Sequence, residues 1–284
     1  MKAYVWVCFS ALIMASCAKQ DTNSPGGGTA AAQTITDVSY GTDAKQKIDI
    51  FLPEGRTVAS TKTIVLIHGG GWTEGDKKDM AFGIDSFKKR LPEYAIININ
   101  YRLAYNNTTN LFPTQENDIK AALEFYLGKS AEYKVSKDLI VLGASAGGHL
   151  ALLHSYKNDP EKHVKAVIDF FGPADLNALW NAGIVQQLIL VSATGKLYDQ
   201  DTAIYFQSSP VNFITPQSPP TIVLHGGADN LVPSNQSTIL INKLQEKGVA
   251  NQFVFYPAEQ HGWTGPNLTD SFEKIKAFIG ANVH

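Results

Sequence analysis

The chain is predicted to fold as an α/β protein, a mostly parallel central sheet of about eight strands with helices on both faces and a small cap. Three observations carry that expectation. Short apolar, β-branched runs alternate with stretches of helical spacing over residues 34–284. One such run, Leu139 to Gly143, passes through Gly143-Ala144-Ser145-Ala146-Gly147 directly into a helix-like pattern. The 284 residues, 44% of them hydrophobic, suit one large domain with a substantial core better than two small ones.

The first residues stand apart from that domain. Lys2 precedes an apolar run from Ala3 to Ala15, too short to span a bilayer and shaped like the core of a signal peptide. The run stops at Met14-Ala15-Ser16-Cys17, which resembles a bacterial lipobox, with Met14 in place of the usual leucine and Ser16 in place of glycine or alanine. Residues 1–16 are therefore read as a signal peptide and Cys17 as a lipidated cysteine; the alternative is an ordinary secretory signal with an incidental cysteine. Residues 17–33 are small and polar around Pro25-Gly26-Gly27-Gly28, the composition of a flexible linker. The expectation is an exported lipoprotein in the periplasm or at the cell surface, tethered at Cys17, with more than one acyl chain needed for stable attachment. The two cysteines are Cys8 and Cys17, so the body holds neither a disulfide framework nor a thiolate metal site.

Within the body, Ile35 to Val38 and Lys47 to Leu52 read as strands around Gly41-Thr42-Asp43; the alternation of Lys47-Ile48-Asp49-Ile50 suits a half-exposed antiparallel strand. Pro53 and Gly55 end it. Thr63 to Ile67 is a continuous apolar strand of buried type. Phe82 to Leu91 reads as a helix and Tyr94 to Asn100 as a strand. Gln115 to Leu127 is helical by spacing, with Ile119, Ala122, Leu123 and Tyr126 on one face. The turn at Ser145 and its helix follow, then a strand from Ala166 to Phe171. Asp175 to Gln207 breaks the rhythm with helical apolar patches and no strand, and residues 173–216 are read as a cap inserted over the sheet. Thr221 to His225, Ser234 to Glu246, Gln252 to Tyr256 and Asp270 to Ala281 then give strand, helix, strand, helix.

The strand, sharp turn and helix around Ser145 form the context in which G-x-S-x-G marks a nucleophile elbow. A serine hydroxyl is a weak nucleophile and needs a base, an acid that orients the base, and donors for an oxyanion. His261, in the loop after the last strand, is the preferred base, because ligands gather at the carboxyl ends of strands in an open α/β sheet and imidazole takes and returns a proton near neutrality. Asp229 is the preferred acid, just beyond the strand Thr221 to His225; Asp175, a possible helix N-cap, and Glu259, two residues from His261, are its rivals. The chain order Ser, Asp, His is the one an α/β-hydrolase uses. His68-Gly69-Gly70-Gly71-Trp72 follows the strand Thr63 to Ile67, where glycines let backbone N–H groups approach a ligand. With Ala146, the N–H groups of Gly69 and Gly70 are candidate oxyanion donors, each worth roughly 3 kcal/mol. His149 and His154 read as structural, His163 as a surface residue, and His225 as packing near the site without catalysing.

Together these motifs resemble the α/β-hydrolase superfamily and, within it, the HGGG type of esterase and lipase, near the hormone-sensitive lipase-like carboxylesterases and the bacterial feruloyl and acetyl xylan esterases. The resemblance covers nearly the whole chain from about Val38 and includes Asn100-Tyr101-Arg102-Leu103 and Pro113 to Asp118. It implies Ser145 as nucleophile, Asp229 as acid and His261 as base, with Gly70 and Ala146 the leading oxyanion donors and Gly69 behind them. It also implies that Trp72 and Glu74 line an acyl or alcohol pocket, with Trp263 a further substrate-binding candidate. Arg102 and Asp118 are either a buried structural pair or two surface residues. The short cap favours a short acyl group or an open cleft over long-chain lipid.

The implied reaction is serine-dependent hydrolysis of a short-chain or aryl ester, on a small molecule or on plant cell-wall carbohydrate. The alternatives are an amide hydrolase with the same triad, either peptidase or aryl formamidase, and a non-catalytic binding lipoprotein that kept the fold. No metal or cofactor is expected, since the histidines do not cluster with carboxylates at ligand spacing and the glycine motifs do not match G-x-G-x-x-G. With 24 basic and 26 acidic side chains, no basic surplus points to nucleic acid. The sequence is silent on oligomeric state.

Overall fold

The structure is a computed structural model that describes residues 29–284. The signal-peptide reading of residues 1–16, the lipidation of Cys17 and most of the linker lie outside the described residues.

Eight strands form one sheet: β1 (Gln33–Ser39), β2 (Lys47–Leu52), β3 (Thr63–Ile67), β4 (Ala95–Ile99), β5 (Leu139–Ala144), β6 (Val164–Phe170), β7 (Thr221–Gly226) and β8 (Asn251–Tyr256). Their order is β1-β2-β4-β3-β5-β6-β7-β8. The pairs β1–β2 and β2–β4 are antiparallel, and all others are parallel. The helices are α1 (Ala81–Arg90), α2 (Thr114–Gly128), α3 (Ser130–Tyr133), α4 (Ala146–Lys157), α5 (Leu176–Trp180), α6 (Ile184–Thr194), α7 (Thr202–Gln207), α8 (Asn235–Glu246) and α9 (Gly265–Asn282).

Side chains alternate across the sheet and build two cores. On β3, Val65 and Ile67 join one cluster with Ile119 and Leu123 of α2, Leu150 of α4 and Leu240 of α8. Ile64 and Leu66 join the other, with Phe87 of α1 and Phe272 and Ile275 of α9. The elbow helix α4 is buried on every side from Ala146 to Tyr156, as expected of a helix wedged between the sheet and other helices. No helix of the described residues is long and apolar enough to cross a membrane.

The sequence reading differs from the structure in a few places. Gln33, assigned to the linker, opens β1 opposite Leu52. The alternation in β2 does not leave Asp49 on an open face, because Lys77 Nζ covers it at 2.7 Å. Helix α9 starts at Gly265 with Pro266 in its first turn, ahead of the expected Asp270. The region 173–216 holds α5, α6, α7 and a short 3₁₀ turn, Pro210–Phe213, without a strand, as expected of a cap. Arg102 and Asp118 prove to be a pair: the Asp118 carboxylate is 1% exposed and accepts Arg102 Nη2 at 2.6 Å and Gln46 Nε2 at 2.8 Å.

Register places the site. Ile67 lies beside Gly143, Ala144 beside Phe170, and Gly226 beside Tyr256. The loops after β3, β5, β7 and β8 therefore emerge at one end of the sheet, its carboxyl edge.

Candidate active site

The elbow is forced by close packing. A Cβ on Gly143 would lie 2.0 Å from the carbonyl oxygen of Gly147, and a Cβ on Gly147 would lie 2.1 Å from that of Ile67. Only hydrogen fits at both positions, so the motif glycines let α4 turn back against β3 and β5. Ser145 between them sits at φ 55°, ψ −122°, a conformation that costs a non-glycine residue on the order of 1–3 kcal/mol. Its N–H donates to the Phe170 carbonyl at 2.8 Å and its carbonyl accepts from His149 N–H at 3.0 Å, which hold it there.

The loops bring His261 and Asp229 to this serine. His261 Nε2 lies 2.9 Å from Ser145 Oγ, and His261 Nδ1 lies 2.7 Å from Asp229 Oδ2. A carboxylate only accepts, so Nδ1 carries the proton and Nε2 is left to accept from the hydroxyl. Asp229 Oδ1 accepts the N–H groups of Leu231 at 2.8 Å and Val232 at 2.9 Å. The Asp229 side chain is fully buried. Burial alone would raise its pKa, but hydrogen bonds from His225 and His261, with the Val232 N–H, outweigh burial and hold it well below the usual carboxylate range. The rival acids have other partners: Asp175 caps α5 through Ala178 N–H at 3.0 Å, and Glu259 accepts from Asn267 Nδ2 at 2.6 Å.

The glycine loop closes the other side. Gly69 packs against the elbow, where a Cβ would meet the Ala144 oxygen at 2.9 Å and Ser145 Cβ at 3.2 Å. Its carbonyl accepts from His68 Nδ1 at 2.7 Å and Tyr101 Oη at 3.2 Å. The His68 and Tyr101 rings stack with centroids 4.3 Å apart. The Gly70 carbonyl accepts from Thr73 and Glu74 N–H at 3.0 Å. These carbonyls are engaged away from the serine. Ala146 is the first residue of α4, where a backbone N–H has no partner within the helix.

A small cavity of about 30 Å³ touches Ser145 and Ala146 and is lined by Gly71, Trp72, Ile189 and Val232 among others. Gly71, which the sequence did not single out as a donor, also lines this cavity. Trp72 lines the cavity as expected and donates through Nε1 to His149 Nδ1 at 3.2 Å. Glu74 is exposed and lines neither cavity flanking Ser145 and His261, so the structure does not support it as a pocket residue. Trp263 donates to Ser271 Oγ at 2.9 Å and lines the second of these cavities, an apolar cleft of about 230 Å³ that also touches Ala144, Gly262, Phe82, Phe171 and Leu268. Phe171 stands between that cleft and His261, its ring 4.6 Å from the imidazole.

Among the other histidines, His149 and His154 are buried on α4 as expected, and burial lowers each pKa to about 4. His225 is fully buried beneath Asp229. Among the described residues, no group of three or more His, Cys, Asp or Glu side chains is placed to hold a metal ion.

A family model, BD-FAE, matches residues 48–244. Among curated proteins, the "Probable carboxylic ester hydrolase LipM" of Mycobacterium tuberculosis (strain ATCC 25618 / H37Rv) is 31% identical over 245 residues, covering 80% of this chain and 56% of the relative. The chain spans 56–59% of the length of the first three curated relatives it matches. Among solved structures, the "Truncated form of carbohydrate esterase from gut microbiota" superimposes with a TM-score of 0.74 at 26% identity, covering 88% of this chain and 95% of that one. The "Bifunctional GH43-CE" of Bacteroides eggerthii gives a TM-score of 0.76 at 28% identity, covering 87% of this chain and 35% of that one.

Proposed function

The chain belongs to the BD-FAE family, and we propose that it is a serine carboxylesterase that hydrolyses short-chain or aryl esters through an acyl-enzyme. One observation carries the reading: Ser145 Oγ, His261 and Asp229 form a continuous hydrogen-bonded array at 2.9 and 2.7 Å at the carboxyl edge of the sheet. Ser145 Oγ attacks the ester carbonyl as its proton passes to His261 Nε2. Asp229 holds the ring in the required tautomer and stabilises the imidazolium. The N–H of Ala146 and those of the glycine loop donate to the developing oxyanion. Nε2–H then protonates the leaving alkoxide. Water, deprotonated by the same nitrogen, cleaves the acyl-enzyme and restores the serine.

The cavity at Ser145, about 30 Å³, holds one or two water-sized groups and so supports an acyl group of acetyl size. The likeness to the carbohydrate esterase from gut microbiota supports carbohydrate as the alcohol. The lipobox-like Met14-Ala15-Ser16-Cys17 supports export and tethering at Cys17; palmitate incorporation in a bacterial host, lost in Cys17→Ala, tests that.

Turnover of 4-nitrophenyl acetate and butyrate and of a feruloyl ester by wild type and Ser145→Ala tests the main reading. Acetate is expected to be preferred over butyrate, with turnover abolished in the variant. Equal turnover by both proteins contradicts the triad. Cleavage of formyl amides with every ester inert puts an amide hydrolase in its place.

A further inference from the structure

A second histidine stands behind the triad. His225, the fifth residue of β7, is fully buried, and both of its ring nitrogens are hydrogen-bonded. Nε2 lies 2.8 Å from the Val232 carbonyl and 3.4 Å from Asp229 Oδ2. Both are acceptors, so Nε2 carries the proton. Nδ1 is bonded to Ser237 Oγ, from α8, at 2.6 Å, which fixes the ring's orientation.

We propose that His225 is a positioning residue for the triad acid: its Nε2–H gives Asp229 Oδ2 a second donor on the oxygen that receives His261, and the Ser237 hydroxyl holds it in that orientation. This rests on the triad reading above.

Asp229 has no basic side chain of lysine or arginine within ion-pair distance among the described residues; the titratable groups that face it are His225 and His261. The Phe171 ring packs edge-on to His225 at 6.4 Å and tilted against His261 at 4.6 Å, and brings no charge. The buried Asp229 carboxylate is therefore held by N–H donors alone: hydrogen bonds from two backbone groups and from His261, with His225 Nε2–H at a longer 3.4 Å. His225 also holds the carbonyl of Val232, the residue whose N–H bonds Oδ1. Remove the ring, and the carboxylate loses a donor and binds protons more tightly. Either Asp229 itself protonates at higher pH, or it grips the His261 proton harder. In both cases the acid limb of activity moves upward.

The test compares wild type, His225→Leu, His225→Gln and Ser237→Ala. Two readouts are used: the pH profile of kcat/KM on 4-nitrophenyl acetate, and the NMR titration of the low-field proton between His261 Nδ1 and Asp229, which needs no turnover. In His225→Leu the acid limb and the NMR midpoint are expected to rise together by about half to one pH unit. Activity is expected to fall about 3- to 10-fold at pH 5.5 and to recover at high pH. His225→Gln, which keeps an N–H near the Nε2 position, is expected to restore much of the shift. If His225→Leu does not fold, Ser237→Ala carries the test, since it frees the ring to change tautomer and is expected to move the midpoint in the same direction. An unmoved midpoint, or a uniform loss at every pH, overturns the proposal and leaves His225 as packing alone. Wild type inert toward every ester sinks the esterase reading instead, while the NMR titration still decides the role of His225.

Discussion

Two carboxylates, Asp118 and Asp229, are buried at opposite sides of the sheet's centre, and their partners differ. Asp118, on α2, is clasped by a guanidinium and by the Arg102 backbone N–H at 2.9 Å. Asp229 has only backbone N–H groups and two imidazoles. Asp118 therefore has a permanent counter-charge, fixed in geometry and in sign. Asp229 faces a ring that is neutral at rest and becomes cationic only when Ser145 gives up its proton. A carboxylate with a fixed cation ties elements together, here the segment after β4 to α2. One whose counter-charge comes and goes can stabilise a transient state.

Substitutions that separate the two roles sharpen this contrast. The largest expected effect is on the nucleophile: Ser145→Ala should lower kcat about 10⁴-fold or more while leaving the urea midpoint within error of wild type. Asp229→Asn should cost about 10⁴-fold in kcat at neutral pH, because an amide can present its NH₂ to Nδ1 and stabilise the wrong tautomer; a stopped assay with 4-nitrophenyl acetate measures it. Asp118→Ala should do the reverse, keeping kcat within about 3-fold and losing about 3 kcal/mol of stability, the low end for a pair whose arginine is partly exposed. On a chain of this size that lowers Tm by roughly 6–12 °C, readable by scanning calorimetry. If Asp118→Ala lost activity and kept its Tm, the division between the two carboxylates would fail.

A smaller effect concerns pH. His149 and His154 sit at about 4 because burial disfavours their charged forms, against about 6.5 in an unfolded chain. Between those values the unfolded chain binds more protons, so stability rises with pH through this window and falls on acidification. Each histidine contributes on the order of 3 kcal/mol. Asp229, with its pKa lowered in the fold, acts in the same direction but only below the ordinary carboxylate value of about 4. Urea midpoints measured every half unit from pH 4 to 7 should show this slope, and His154→Gln should reduce it by about one proton.

Much of this was legible in the residues. Strands β2 and β3 fell where the apolar runs placed them, and Ser145, Asp229 and His261 meet as the chain order suggested. Those signals are local: an apolar run with turn residues at its ends, and a functional group one loop past a strand. What escaped depends on contacts distant in sequence. Gly71 joins the lining of the cavity at Ser145, while Tyr101, Thr73 and Glu74 hold the Gly69 and Gly70 carbonyls. Trp263 is fixed by Ser271 on α9 at the apolar cleft beside His261, and Glu74 stays in solvent. His225 showed only as a histidine at a strand end; its link to Asp229 follows from a loop that folds back between β7 and α8.

The central claim is that Ser145 is a nucleophile activated by His261. Incubation with a fluorophosphonate, followed by mass spectrometry of the digested protein, tests it most directly. The account expects one covalent adduct on the peptide carrying Ser145, absent in Ser145→Ala and formed at least about 100-fold more slowly in His261→Ala. No adduct on the wild type, an adduct elsewhere, or labelling of His261→Ala at the wild-type rate would contradict it.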